Sequence, residues 1–312
     1  MSWTLLAGSA NLALAEAVAA RMGARLGSRE LRRFPDGELH VEVQESVRGH
    51  DVYLLQPTGP PVEAHLLELL LLADACRRAG AAQVTAIVPY FGYARQDRRA
   101  SGREPVAARL IADLIRASGV QRVLAVDLHT AALEGFFTVP LEHLSVVPAL
   151  VGAVRPLIGA NGVVVAPDLG AVKLAERYAR LLDLPVAFVH KTRISGEQVE
   201  AHGVSGDVRN RAPLLVDDMI STGGTIQAAS GALAAEGCLP ELTVVASHAL
   251  LVGPAVERLR ALPLRRLIAT DSVAVPSGLP LPLQVVSLAP LLAEAIGRLT
   301  TGQSLDDLIH HG

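Results

Sequence analysis

Short, continuous apolar runs alternate with Ala- and Leu-rich stretches along the whole chain. In the first half, predicted strands and helices follow one another at 4–7, about 12–22, 51–56, about 61–79, 84–88, about 104–118 and 123–127. Strands that are apolar throughout, rather than at every second residue, are typical of parallel sheets with both faces covered. The pattern therefore predicts an α/β fold in which a mostly parallel sheet is flanked by helices.

The same alternation begins again in the second half. Strands are predicted at 162–166, 185–189, 213–217, 242–246 and 266–269, and helices at about 171–182, 224–236 and 290–299. A chain of 312 residues is long enough for two domains. We predict two similar domains, 1–145 and 146–312, which meet near a segment with prolines and glycines at 143–160. The last helix is a candidate to pack on the first domain.

The charge balance excludes several classes of partner. Charged residues make up 19% of the chain and the formal net charge is -3, so neither a nucleic-acid partner nor a membrane surface is expected. The longest apolar run, at 66–73, is interrupted by Glu68 and is shorter than the roughly 20 residues that cross a bilayer. The N-terminus has no basic stretch followed by an apolar one, so we expect no signal peptide and a cytoplasmic protein.

The most specific motif spans 214–225 and reads Leu-Leu-Val-Asp-Asp-Met-Ile-Ser-Thr-Gly-Gly-Thr. An apolar strand leads into a loop that Gly223 and Gly224 allow to turn tightly, and a predicted helix follows. Loop N–H groups and a helix N-terminus together bind phosphate well. Further donors are the hydroxyls of Ser221, Thr222 and Thr225.

Two adjacent carboxylates, Asp217 and Asp218, precede this loop. They do not favour a phosphate directly, but they suit sugar hydroxyls, or a Mg²⁺ ion that bridges to them. One loop therefore offers sugar recognition at one end and phosphate recognition at the other, which matches a phosphorylated pentose. The segment lacks the GxxxxGK[ST] pattern of a P-loop. The alternative is an Asp-Asp helix cap beside an ordinary glycine turn.

Most of the other polar segments follow predicted strands, where open parallel sheets bind ligands. Taken singly, each has an ordinary structural explanation. A Phe-Pro-Asp-Gly sequence is usually only a turn, a lone histidine more often caps or packs, and basic residues are common at sheet edges. Aromatic and basic residues at 90–98 also suit RNA, although the net charge argues against that. The segments are Phe34–Glu38, Tyr90–Arg98, Asp127–His129, Pro167–Asp168 and Lys191–Arg193.

Taken together, these segments resemble the ribose-phosphate diphosphokinase (phosphoribosyl diphosphate synthase) family over nearly the whole chain. The loop at 217–225 alone also resembles that of type I phosphoribosyltransferases. The remaining segments, with Ser101–Pro105 and Gly253–Arg258, favour the diphosphokinases. The resemblance implies two type I phosphoribosyltransferase-like domains. It also implies Mg²⁺-dependent transfer of the diphosphate of ATP to the 1-hydroxyl of ribose 5-phosphate, with AMP as the other product.

The resemblance further implies a role for each candidate residue. Those for ATP are Phe34, Asp36, Glu38, Arg95, Gln96 and Asp97; those for the metal are His129 and Asp168; the catalytic pair is Lys191 and Arg193; and those for ribose 5-phosphate are Arg193, Asp217, Asp218, Ser221, Thr222, Gly223, Gly224 and Thr225. Glycines in 194–206 make that segment a candidate mobile lid.

The chain departs from the common family pattern at three positions. Ser221 replaces a third aspartate, Leu169 replaces a histidine, and Thr192 replaces a basic residue. These changes indicate a divergent branch and leave control by ADP and phosphate open. The resemblance implies a homo-oligomer of unspecified size. Two alternatives are a non-catalytic relative that regulates a partner, which should have lost its charged site residues, and a phosphoribosyltransferase.

Overall fold

The computed structural model describes residues 2–193 and 199–309, and only the backbone at 191–193 and 199–202. The chain divides into two compact units. Unit 1 runs up to Ser145 and also includes Ser272–Ala274 and the residues from Ser287 onward, and unit 2 comprises Val146–Asp271 and Val275–Val286. Within the described ranges, no helix has both the length and the apolar character needed to cross a bilayer.

Unit 1 is built on a parallel sheet with the strand order β1-β4-β5-β6-β7. Its strands are β1 (Trp3–Ala7), β4 (Asp51–Leu55), β5 (Gln83–Val88), β6 (Arg122–Val126) and β7 (Leu141–Leu144). The helices are α1 (Leu12–Arg21), α2 (Val62–Arg78), α3 (Ala107–Ala117) and α8 (Ala289–Thr301). A separate antiparallel hairpin consists of β2 (Arg29–Arg33) and β3 (Leu39–Val43).

Two groups of helices bury this sheet. Leu69 of α2 and Ile115 of α3 are fully buried in one core with Leu54 of β4. Helix α1 contacts α8, and Leu14 and Leu292, one from each, are also buried. Because the side chains on both faces of the sheet are buried, the strands of unit 1 are apolar throughout.

Unit 2 is built on a sheet with the order β10-β9-β8-β11-β12-β13-β14, which is parallel except for the pairing of β10 with β9. Its strands are β8 (Gly162–Ala166), β9 (Val186–Arg193), β10 (Val199–Ser205), β11 (Ala212–Ile220), β12 (Leu242–Ala249), β13 (Leu264–Thr270) and β14 (Leu283–Val286). Its helices are α4 (Val147–Val154), α5 (Val172–Leu182), α6 (Gly224–Ala235) and α7 (Ala255–Arg260).

Strand β11 lies at the centre of this sheet, between β8 and β12. Leu215 is in register with Val165 of β8, and Asp217 with Ala246 of β12. Because all three strands are parallel, their carboxyl ends meet at one edge of the sheet. Leu215 and Leu233 of α6 belong to the same buried core, so packing fixes the position of the strand that leads into the candidate phosphate loop.

The predicted α/β fold with mostly parallel sheets is confirmed, but several short elements were not predicted. They are the β2–β3 hairpin, β7, α4, β10, α7 and β14. Helix α4 occupies much of 143–160, where we expected the two domains to meet. Its Pro148 lies in the first helical turn, where a missing N–H group is tolerated.

The described part of the candidate lid at 194–206 is mostly a strand. Residues 199–205 form β10, which pairs antiparallel with β9, and the register shifts between Ala201 and Gly203. Residues 194–198, including Gly196, lie outside the described part of the chain. The glycines suggested an irregular segment, but a β-bulge accommodates such a residue within a strand.

Candidate active site

The loop between β11 and α6 is short and tightly bent. Strand β11 continues to Ile220, beyond the predicted end at Asp217, so only Ser221–Gly223 connect it to α6. Gly223 precedes the first residue of α6 and has φ of 75°, in the left-handed region. A Cβ atom there would lie 3.6 Å from the Cα atom of Ala255. The backbone conformation, more than the space, therefore favours glycine at this position.

The carbonyl groups of this loop are all engaged. The Ser221 oxygen accepts from the Val252 N–H (3.0 Å), and the Gly223 oxygen accepts from the Gln227 N–H (2.9 Å). The Thr222 oxygen accepts from Nη1 of Arg258 at 3.1 Å.

The donors of this loop show the opposite pattern. In the described part of the chain, the N–H groups of residues 221–224 and the hydroxyls of Ser221 and Thr222 make no hydrogen bond. Thr225 lies in the first turn of α6. N–H groups without a partner at a helix N-terminus suit an anion, so this geometry is compatible with the phosphate site that the motif predicts, and the site stays a prediction.

Two carboxylates lie immediately before the loop, on the last part of β11. Asp217 and Asp218 are partly exposed, and the Asp218 N–H donates to Oδ1 of Asp217 at 2.9 Å. Loss of solvation raises the pKa of Asp217 well above its usual value, and the nearby charges of Asp218 and Asp168 raise it further. A proton or a cation is therefore favoured at this position.

Asp168 lies in the loop that follows β8, the strand next to β11 in the sheet. Its Oδ1 accepts from the N–H groups of Gly170 (2.9 Å) and Ala171 (3.2 Å), so it caps the 3₁₀ helix Leu169–Ala171. Its charge also acts on Asp217, which places a third carboxylate at the same sheet edge. Leu169, one of the three departures, is 67% exposed.

The predicted catalytic pair lies on β9. Lys191 is in register with Ala201 and Arg193 with Val199 on β10. The side chains of both residues lie outside the described part of the chain, so the expectation that they face the same way stays a prediction.

In unit 1, Phe34–Glu38 form the tip of the β2–β3 hairpin. The Phe34 N–H donates to the Glu38 oxygen and the Gly37 N–H to the Phe34 oxygen, both at 2.9 Å. Oδ1 of Asp36 accepts from the Glu38 N–H at 3.1 Å. The Phe34 ring is 39% exposed and lies 5.2 Å from the Arg32 guanidinium carbon. Asp36 thus stabilises the turn, and Phe34 offers an accessible ring.

The other predicted ATP residues lie on the long loop between β5 and α3. Arg95 and Gln96 are exposed, and within the described ranges the Arg95 side chain makes no hydrogen bond or ion pair. The backbone of Gln96 is fixed, because its oxygen accepts from the Ala108 N–H at 3.2 Å. The Asp97 carboxylate lies 4.0 Å from Nε of Arg98.

His129 follows β6 and is exposed. The preceding residues are held by His143, which our sequence analysis missed: its Nε2 accepts from the Leu128 N–H at 2.8 Å. Because Nε2 accepts, Nδ1 carries the proton toward Oε1 of Glu134, 2.9 Å away. His143 lies on β7 and is almost completely buried, and no sequence pattern marks it. The two predicted metal ligands, His129 and Asp168, belong to different units.

A parallel sheet that carries an acidic pair, a glycine loop and a helix N-terminus defines unit 2 as a domain of the phosphoribosyltransferase class. In agreement, residues 157–262 match the phosphoribosyl transferase domain. Residues 3–119 match the N-terminal domain of ribose phosphate pyrophosphokinase. The chain belongs to the ribose-phosphate pyrophosphokinase family.

Relatives across nearly the full length support this assignment. The chain is 44% identical over 306 residues to the ribose-phosphate pyrophosphokinase of Nostoc sp., covering 97% of this chain and 92% of the relative. It is 38% identical over 309 residues to that of Fusobacterium nucleatum, covering 98% of each. The crystal structure of phosphoribosylpyrophosphate synthetase from Mycobacterium smegmatis matches with a TM-score of 0.91 and 38% identity, over 97% of this chain and 100% of that one. The predicted family is confirmed.

Proposed function

We propose that the protein transfers the diphosphate of ATP to the 1-hydroxyl of ribose 5-phosphate, which yields phosphoribosyl diphosphate and AMP. The observation that carries the proposal is the loop at 221–225, where the engaged carbonyls leave a row of N–H donors beside two carboxylates. Membership of the ribose-phosphate pyrophosphokinase family supports the same reaction.

In this proposal unit 2 binds ribose 5-phosphate. The N–H groups and hydroxyls of Ser221–Thr225 hold the 5-phosphate, and Asp217 and Asp218 orient the 2- and 3-hydroxyls. The 1-hydroxyl oxygen attacks the β-phosphorus of ATP, the bond from that phosphorus to the α,β-bridging oxygen breaks, and the hydroxyl proton passes to solvent. Lys191 and Arg193 offset the charge on the transferred group, with Arg193 also contacting ribose 5-phosphate.

Unit 1 is proposed to bind ATP. The exposed ring of Phe34 stacks on adenine, and Asp36 and Glu38 accept hydrogen bonds from its exocyclic amine. The exposed guanidinium of Arg95 contacts phosphate oxygens. Gln96 and Asp97 complete the nucleotide contacts. Positioning and electrostatics then supply most of the rate acceleration.

Mg²⁺ is the proposed cofactor, with His129 and Asp168 as its protein ligands. Asp168, Asp217 and Asp218 bring negative charge together at this sheet edge of unit 2, which suits a divalent cation. No cluster of three or more metal-binding side chains occurs in the described ranges. Mg²⁺ usually keeps water and substrate oxygens among its ligands. When bound, the ion would offset the negative charge of the phosphate groups.

The assay combines purified protein, Mg²⁺, ATP and ribose 5-phosphate, and measures AMP and phosphoribosyl diphosphate together. We expect equal amounts of both, and neither product without ribose 5-phosphate or with excess EDTA. A D217N/D218N double variant should be inactive, and Glu176→Gln, an exposed change on α5, should match the wild type. Absence of both products would overturn the proposal and favour a regulatory relative. Diphosphate release that depends on a nucleobase, with no ATP requirement, would instead indicate a phosphoribosyltransferase.

Light scattering of the purified protein tests the proposed homo-oligomer. A mass corresponding to one chain at assay concentrations would exclude it.

A further inference from the structure

The segment Gly253–Arg258, which carries no role in the reaction as described, contacts the candidate phosphate loop from one side. It follows β12 and enters α7. Nη1 of Arg258 donates to the Thr222 oxygen at 3.1 Å, and the residue just before the segment, Val252, donates its N–H to the Ser221 oxygen at 3.0 Å. Two consecutive peptide groups of the loop are therefore fixed from the same side.

Fixing these carbonyls also fixes the N–H groups of the same peptides. In a trans peptide the C=O and N–H bonds point in opposite directions, and both peptides here are trans. The Thr222 N–H and the Gly223 N–H therefore point away from the segment that holds their carbonyls. Successive N–H groups that point the same way, one of them at a left-handed residue, form a concave anion site.

Only one of the two contacts comes from a side chain. The Val252 donor is a backbone group, which any residue except proline supplies, whereas the Thr222 oxygen is held by the Arg258 guanidinium. The partly exposed side chain of Arg258 makes no other hydrogen bond or ion pair in the described ranges. Among the described residues, the Arg258 side chain therefore makes its one hydrogen bond to the Thr222 oxygen of the loop.

We propose that Arg258 is a positioning residue for ribose 5-phosphate. It keeps the Thr222 carbonyl turned away from the anion site, so that the Gly223 N–H stays directed at the 5-phosphate. The inference rests on the proposed function of the loop. Arg258 touches neither the sugar phosphate nor the reacting atoms, and its effect passes through the Thr222–Gly223 peptide.

Steady-state kinetics of Arg258→Met and Arg258→Gln test the proposal. Methionine removes the donor, and the shorter glutamine side chain does not reach the Thr222 oxygen as the guanidinium does. Loss of a charge-assisted hydrogen bond predicts a KM for ribose 5-phosphate about tenfold higher in both variants. The KM for ATP should change less than about twofold, because the Thr222–Gly223 peptide is on the ribose-phosphate side. Arg258→Lys, which keeps a charged donor, should restore part of the affinity.

Arg260→Ala is the matched control, since it removes an exposed arginine of the same helix whose side chain makes no hydrogen bond or ion pair in the described ranges. It should have wild-type kinetics. A wild-type KM for ribose 5-phosphate in Arg258→Gln, or an equal rise in the KM for ATP, would overturn the role of Arg258. If Arg258→Met fails to fold, the Gln variant decides. A wild-type enzyme that makes no phosphoribosyl diphosphate would instead refute the proposed function, so the two failures are distinguishable.

Discussion

The candidate site residues of unit 2 are held by the rest of their domain, whereas those at the hairpin tip of unit 1 are held mainly by their own turn. In unit 2, the segment after β12 supplies the donors to the loop carbonyls of Ser221 and Thr222. In unit 1, hydrogen bonds among residues 34–38 shape that tip. Within the described ranges, no hydrogen bond or ion pair joins this tip to the loop that carries Arg95.

This difference indicates how each unit handles its proposed ligand. A loop whose carbonyl groups are already hydrogen-bonded presents its N–H donors with little reorganisation. Small changes to its backbone should therefore lower the activity strongly. Exposed side chains such as Phe34 and Arg95 add separate contacts, whose losses should be smaller and independent.

Gly223→Val should have the largest effect. A β-branched residue is strained at a φ of 75°, and a backbone shift of about 1 Å at a reacting site costs on the order of 100-fold in rate. We expect kcat/KM for ribose 5-phosphate to fall by about that factor. Gly231→Ala is the control, because a Cβ there meets nothing within 4 Å. It should keep full activity and gain about 0.5–1 kcal/mol in free energy of unfolding. Near-normal activity in Gly223→Val would contradict a rigid loop.

Arg95→Ala should raise the KM for ATP by about tenfold, because a guanidinium–phosphate contact is a charge-assisted hydrogen bond. The KM for ribose 5-phosphate should stay unchanged, in contrast to the variants of unit 2. The control is Arg98→Ala, which removes an equally exposed cation of the same loop. Equal effects of the two substitutions would show that the loop acts only through its net charge.

Much of the fold was predictable from the sequence, because buried parallel strands are apolar runs that stand out between helices. The strands around β11 and the helix after Gly223 follow this rule. Hairpin β2–β3 did not stand out, since its residues Arg29–Arg33 are mostly charged and lie outside the central sheet. Strand β10 was missed because glycines in a strand resemble a loop.

In the candidate site, too, some residues could be predicted from the sequence and others could not. Asp217–Thr225 form one contiguous motif, so the sequence alone predicted an acidic end and a phosphate-binding end. Arg258 and His143 act on backbone groups distant in sequence, Thr222 and Leu128. Such contacts depend on tertiary packing and leave no local pattern. A contiguous motif therefore marks candidate ligand-binding residues in the sequence, whereas the residues that hold them in place are found only in the structure.

Phe34→Ala should have a smaller effect on ATP than Arg95→Ala. Loss of an aromatic face costs about 1 kcal/mol, which corresponds to a rise in the KM for ATP of roughly fivefold. Phe34→Trp keeps an aromatic face and should stay near the wild type. If alanine and tryptophan are equally harmful, the ring acts by shaping the hairpin tip, and adenine stacking on Phe34 is wrong.

The smallest effect is expected for Asp217→Asn, and it is an effect on thermal stability. The folded protein raises the pKa of Asp217 above its ordinary value of 3.8. The folded state therefore binds more protons than the unfolded state between those two values, and stability falls as pH rises through that interval. Asparagine removes this loss, so the variant should melt a few degrees higher near neutral pH in EDTA, and the advantage should shrink as pH falls toward 4.

Glu176→Gln, which neutralises an exposed carboxylate of unit 2, should show no such gain. Added Mg²⁺ should stabilise the wild type more than Asp217→Asn, because a cation relieves the same repulsion among carboxylates. A lower melting temperature for Asp217→Asn at every pH would mean that the ionised carboxylate stabilises unit 2, and that its loop is held without cost from the acidic pair.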